Sequence, residues 1–189
     1  RSVELDANEP PIADGSSQEF ARLIREAGVV AQTASREPYR ITTPIQLTVG
    51  ETIMAAFPHD GFRITCTSAD KGGRFTQHYS VELTPASWEK ELSQARTFCF
   101  YEEIEFLIKN GLIKGGSLEN AIVIRDDAIL TTEPLRYPEE FVRHKMLDIV
   151  GDLALVGRPL QAHIIAVKPS HHANTELADR KSTRLNSSH

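Results

Sequence analysis

The residues best suited to chemistry lie in Arg143-His-Lys-Met-Leu-Asp-Ile-Val-Gly-Asp152. His144, Asp148 and Asp152 are spaced four apart, so a helix here puts one imidazole and two carboxylates on a single face. That leaves Met146, Leu147, Val150 and Leu153 to bury the helix. A His/Asp pair one turn apart can offer one nitrogen and one oxygen to a divalent metal. The second carboxylate could orient another histidine, and one follows in Ser170-His171-His172-Ala173-Asn174. The same spacing also fits an ordinary solvated pair, because short motifs recur by chance. His171 and His172 likewise suit a solvated loop, His59 a turn, and His163 a strand face turned outward.

These residues need elements to hold them. The helix should be the longest of the chain, from Glu139 to about Val156, closed by Gly157-Arg-Pro159. A strand over Ala162 to Val167 would deliver His171. Upstream, Val3 to Asp6 reads as a strand end, and Asn8 to Gly15 as a turn-rich link. Ser16 or Ser17 can then cap a helix whose Phe20, Leu23, Ile24 and Ala27 share a face and which stops at Gly28. Tyr39 to Leu47 and Glu51 to Phe57 read as strands joined at Val49-Gly50. Pro58-His59-Asp60-Gly61 reads as a hairpin turn into a strand from Phe62 to Ser68. A strand around Phe75 to Leu83 follows, then a short helix with Thr84 as cap and Pro85 in its first position. Glu102 to Asn110 predicts a helix, Lys114 to Ser117 a loop, and Ala121 to Ile124 a strand closed by Asp126-Asp127. Strands and helices arranged around one long helix predict an α+β, two-layer sheet-and-helix fold.

Composition narrows the class. Forty per cent apolar and 25% charged residues are ordinary for a globular protein. No apolar run approaches the roughly 18 residues of a membrane span, and no signal-peptide pattern opens the chain. Two cysteines, Cys66 and Cys99, are too few for a disulfide framework, which points to a cytoplasmic protein with free thiols. Residues 179–189 form a polar string that reads as a translated sequencing adapter, an artefact set aside from fold reasoning. Its three cations and one carboxylate turn the formal charge of −5 into −7 for the rest. An acidic body argues against a nucleic-acid partner.

The segment from His144 to Pro159, with His171 and Asn174, closely resembles the zinc-dependent UDP-3-O-acyl-N-acetylglucosamine deacetylases of lipid A synthesis. Asn8-Glu9-Pro-Pro-Ile-Ala-Asp14-Gly15-Ser16 resembles the link ending that family's first domain. Ala95-Arg-Thr97-Phe98 resembles its active-site motif, and Gly111 to Asn120 the segment lining its acyl-chain passage. Leu135-Arg-Tyr137 precedes the metal helix as expected. The likeness covers residues 1 to 178.

The resemblance implies a division into 1–36, the remnant of a first domain, and 37–178, a similar second domain with the metal helix. It implies Zn2+ as cofactor, with His144 and Asp148 as two of three protein ligands. The third ligand, a histidine, and the glutamate that acts as general base would lie upstream of Arg1, so this fragment should be inactive. His171, held protonated by Asp152, would stabilise the oxyanion and pass a proton to the leaving amine, while Thr97 adds a hydroxyl donor. Lys145 would pair with the substrate's diphosphate and Glu103 would lie near the nucleotide-sugar. Phe98, Ile104, Gly116, Ser117, Ala121 and Val123 would line the acyl passage, although all six also suit simple packing and Lys145 a plain surface lysine.

The implied activity is removal of the N-acetyl group of UDP-3-O-acyl-N-acetylglucosamine by a cytoplasmic monomer. Alternatives are a zinc amidase for another acylated sugar and a non-catalytic nucleotide-sugar-binding relative. The chain could also be the deacetylase half of a fusion with a 3-hydroxyacyl-carrier-protein dehydratase.

Overall fold

The computed structural model describes residues 4–8, 10–70, 72–104 and 117–186, with backbone alone for 181–186. Its larger sheet contains β1 (Tyr39–Arg40), β2 (Ile45–Val49), β3 (Thr52–Phe57), β4 (Phe62–Ser68), β5 (Gln77–Glu82) and β9 (Leu160–Val167). The strand order is β2-β3-β9-β4-β5, with β1 also paired to β9. Pro44, which lacks an N–H for a ladder, separates β1 from β2, so the single strand expected over Tyr39 to Leu47 is broken.

β9 runs antiparallel to β3 and parallel to β4. The turn at Pro58 to Gly61 therefore does not close a hairpin, because the strands it joins lie on either side of β9. Leu160, Ala162, Ile164 and Ala166 of β9 are buried, and the intervening residues are half-buried. A strand covered on both faces suits the middle of a sheet, and it takes the place that a local hairpin would have filled.

One face of this sheet is covered by α3 (Glu140–Leu153) and α4 (His171–Asn186). In α3, Val142, Met146, Ile149 and Leu153 recur at helical spacing and are buried in one cluster with Met54, Ile64, Cys66 and Ile164. Leu147 and Val150, expected in the core, are only partly buried at its margin. A single 3-10 turn, Ala154–Val156, follows, and Gly157 ends it at φ +75°, the left-handed conformation glycine accepts without strain.

α4 replaces the loop expected around His171. Ser170 opens it, its hydroxyl accepting from the Ala173 N–H at 3.3 Å and its carbonyl from the Asn174 N–H at 2.9 Å. Ala173, Leu177 and Ala178 join the core. The helix continues through residues 179–186, which carry no apolar periodicity, and its 16 residues exceed the 14 of α3.

A smaller sheet joins β6 (Phe98–Phe100), β7 (Ile122–Arg125) and β8 (Ala128–Leu130). β6 is parallel to β7, and β7 antiparallel to β8. Ile122 and Ile124 form a second core with Phe141 of α3, against which Phe75, Phe98, Phe100 and Leu135 pack. Phe75 is not in a strand. It sits at φ +51° in the turn before β5 and meets Phe141 edge-on. Between β5 and β6, Thr84 caps α2 (Pro85–Ser87) with a reciprocal side-chain bond. Residues 101–104 are helical; the rest of the helix expected to Asn110, and Lys114 to Gly116, lie outside the described residues.

Glu4 and Leu5 have no regular structure and Asp6 to Asn8 form bends, in place of the expected strand end. Gly15 is needed where it stands. Its φ is +83°, and a side chain there would meet the Asn120 carbonyl at 2.1 Å. Its own carbonyl accepts from the Thr97 N–H at 2.8 Å, which fixes the link to the origin of β6. α1 (Gln18–Glu26) buries none of its residues, and Leu23 and Ile24 are half exposed. The Ser17 hydroxyl does not cap α1 but donates to the Ser93 carbonyl at 3.0 Å. Among the described residues no helix is long and apolar enough to cross a membrane.

Candidate active site

α3 brings His144, Asp148 and Asp152 onto one face, as the spacing predicts. That face is not open to solvent, for the three side chains keep only 15%, 16% and 19% of their exposure. At His144 the cause is the segment preceding β6, and at Asp152 it is the start of α4. The Ala95 carbonyl lies 3.0 Å from His144 Nδ1. A carbonyl only accepts, so Nδ1 carries the proton and Nε2 presents its lone pair. Nε2 points toward Asp148 Oδ1, 3.6 Å away, and the Phe98 ring meets the imidazole edge-on at 6.5 Å. Burial pushes the His144 pKa down despite the neighbouring carboxylate of Asp148, so the ring is held neutral.

These features fit a metal. Zinc binds neutral imidazole and ionised carboxylate, and two ligand atoms at about 2.0–2.1 Å with a tetrahedral angle stand about 3.3 Å apart. The 3.6 Å separation needs little adjustment. The carbonyl on Nδ1 is the usual partner that orients a ligating histidine. Lys145 Nζ now lies 3.3 Å from Asp148 Oδ2. The fit is partial, because among the described residues no group of three or more His, Cys, Asp or Glu side chains could hold a metal ion. His59 and His78 do not complete it. His59 pairs with Glu82 at 2.8 Å, and His78 with the Thr67 hydroxyl at 2.9 Å.

One turn on, Asp152 Oδ2 accepts from His171 Nδ1 at 2.8 Å and from Asn174 Nδ2 at 2.9 Å. His171 is 70% exposed, so its Nε2 faces solvent while Nδ1 is tied. Asn174 is fully buried in the first turn of α4 and holds the carboxylate from behind. His172 faces away, 3.7 Å from Glu176. His163 lies on the sheet face away from the helices and contacts the Thr65 hydroxyl at 2.8 Å; it is partly buried, which lowers its pKa.

Beside His144 opens a cavity of about 120 Å³ lined by Phe75, Phe98, Phe100 and Phe141, with Lys145 and Lys168 among its walls. Lys145 Nζ stands 5.7 Å above the Phe98 ring, and Lys168 pairs with the exposed Glu51 at 3.1 Å.

The chain matches the model of the UDP-3-O-acyl N-acetylglycosamine deacetylase family over residues 1–181. It is 44% identical to the UDP-3-O-acyl-N-acetylglucosamine deacetylase of Chlamydia abortus over 180 residues, 93% of this chain. With the same-named proteins of Chlamydia muridarum and Chlamydia trachomatis serovar D the identity is 42%, over 94% of the chain. The chain belongs to this deacetylase family. It spans 63% of the length of these relatives.

The geometry divides the other residues expected from likeness to the deacetylases. Thr97 adjoins the site through its backbone, between Gly15 and Ile122, and its hydroxyl makes no hydrogen bond among the described residues. Glu103 accepts from the Phe100 N–H at 3.3 Å at the opposite end of β6. In the small sheet Phe98 stands opposite Ile122, and Cys99 opposite Val123. Side chains alternate across a sheet, so Phe98 lies on the Phe141 side while Val123 lies on the other, and Ala121 just precedes β7. Ile104 is partly buried in the helical turn after β6, Ser117 is exposed, and Gly116 lies outside the described residues.

Sequence reading assigned no role to Lys168 or Asn174 in this chain. For Asn174 the signal was present. Ser170 is a residue type that caps helices, and a helix begun there places Asn174 within reach of Asp152. Lys168 reaches the cavity only because β9 ends beside β4, which local sequence does not reveal.

Proposed function

We propose that the whole protein hydrolyses the N-acetyl group of UDP-3-O-acyl-N-acetylglucosamine, a zinc-dependent cytoplasmic reaction of lipid A synthesis. The observation that carries this reading is the pair of imidazole–carboxylate contacts on one face of α3, within a chain of this deacetylase family. His144 Nε2 and Asp148 would hold the ion. Zinc held there supplies Lewis acidity to the acetamide carbonyl and to water.

The chain's own residues do the rest. The Ala95 carbonyl keeps the His144 proton on Nδ1, so Nε2 stays free to bind. His171, as the imidazolium, carries a transferable proton on its exposed Nε2, while Asp152 compensates its charge through Nδ1. When water has added to the carbonyl and the C–N bond breaks, that proton goes to the departing amine. Before that, the same N–H and the Thr97 hydroxyl stabilise the charge growing on the carbonyl oxygen. Lys145 and Lys168 suit a diphosphate, with the aromatic cavity between them excluding water.

Residues 1–178 supply two protein ligands and no general base in this scheme. We infer that alone they bind zinc weakly and do not turn over substrate, the missing groups belonging to sequence that the relatives carry beyond the matched span. Restoring the relatives' full length should give deacetylation. Activity from residues 1–178 alone, or tight zinc binding by them, would overturn this assignment of roles.

A further inference from the structure

Glu140 is fully buried in the first turn of α3, and its partner Arg96 is nearly so. Burying two charges costs more than their attraction returns unless every hydrogen-bonding position is used. Here all are used. Glu140 Oε1 accepts from the Arg96 backbone N–H at 3.0 Å and from Nε at 2.8 Å. Oε2 accepts from Arg96 Nη2 at 3.1 Å and from the Arg136 N–H at 2.7 Å. The remaining Arg96 donors reach Thr131, Glu133 and the Pro134 carbonyl at 3.0–3.2 Å.

The consequence lies in which backbone this carboxylate grips. The Arg96 N–H belongs to the same peptide group as the Ala95 carbonyl, the group that accepts from His144 Nδ1. Glu140 also stands one helical turn before His144. The peptide plane between Ala95 and Arg96 is therefore held at both edges by α3, its N–H by Glu140 and its C=O by His144. A peptide is rigid and planar, so fixing its N–H fixes the direction of its carbonyl. We propose that Glu140 is a positioning residue. Through this one peptide it sets the His144 tautomer and leaves Nε2 bare. The assignment rests on the reading of His144 as a metal ligand, but its test in metal-free protein does not require zinc to bind.

The test uses the full 189-residue chain labelled with 15N at histidine. In the wild type, His144 should show a single Nδ1–H tautomer above its titration range; an Nε2–H or mixed tautomer overturns the proposal. Glu140→Asp keeps the charge but withdraws the carboxylate from the Arg96 amide. The double variant Arg96→Met/Glu140→Leu removes both charges with similar bulk, an exchange that buried ion pairs tolerate. Either one that folds should show mixed His144 tautomers and roughly tenfold weaker response to added Zn2+. Arg96→Lys leaves the backbone bond in place and should keep the wild-type spectrum. A His144 signal unchanged in Glu140→Asp or the double variant would show that the ion pair is only structural. A tautomer effect without any zinc response at His144 would instead count against the metal site alone.

Discussion

Two imidazole–carboxylate pairs share one face of α3, and they differ in almost everything except their chemistry. His144 is roofed by the segment before β6, held neutral by burial, and stands 3.6 Å from Asp148, a gap suited to a shared ion. His171 is open to solvent and directly bonded to Asp152 at 2.8 Å. One helix can in this way serve two roles. A dry, tautomer-locked imidazole is suited to bind a metal. A wet one, backed by a carboxylate, can take up and release a proton. The backing differs too, with a carbonyl behind His144 and a carboxylate held by a buried amide behind His171.

The largest effect should come from the first pair. In a chain restored to the relatives' length, His144→Ala or Asp148→Ala should abolish both bound zinc and activity. His171→Ala should leave the zinc content unchanged and lower kcat about 10²–10⁴-fold. Metal analysis beside steady-state rates checks this, and equal zinc loss in all three variants would erase the distinction. A smaller effect is expected at Asn174→Ala, which leaves Asp152 Oδ2 with one donor. A hydrogen bond to a charged group contributes about 1.5 kcal/mol, so kcat should fall roughly tenfold with zinc unaffected.

The smallest expected effect is on stability in metal-free protein. The His144 pKa is lowered from its usual 6.5 by burial. Below that pH the unfolded chain takes up a proton that the folded ring refuses, so this contribution is complete above about pH 6.5 and lost as pH falls. Urea midpoints measured in chelator should drop across that window, and His144→Gln should flatten the slope.

How much of this was legible follows from the range of each interaction. Helical spacing alone placed His144, Asp148 and Asp152 together and offered His171 as a partner for Asp152, a pairing to which likeness to the deacetylases gave a role. The burial of that face was hidden, because the covering segment at Ala95 lies 49 residues away. The Arg96–Glu140 pair is likewise separated by 44 residues. The insertion of β9 between β3 and β4 could not be read from a turn whose local chemistry suits a hairpin. α4 was missed because its buried side is made largely of Ala173 and Ala178, with Leu177 the one large residue among these three, which is too weak a stripe to show in the sequence. The alternation of Phe98 and Val123 was readable once both were assigned to strands, but only their pairing in register shows which faces they share.

We propose that the His144 pair binds the metal and the His171 pair does not. Titrating Zn2+ into the 15N-histidine-labelled chain tests it directly, since the resonances report weak binding atom by atom. Zinc should shift His144 Nε2 first while His171 keeps its Asp152-bonded spectrum. A response at His171 equal to or ahead of that at His144 would contradict the division of labour between the two pairs.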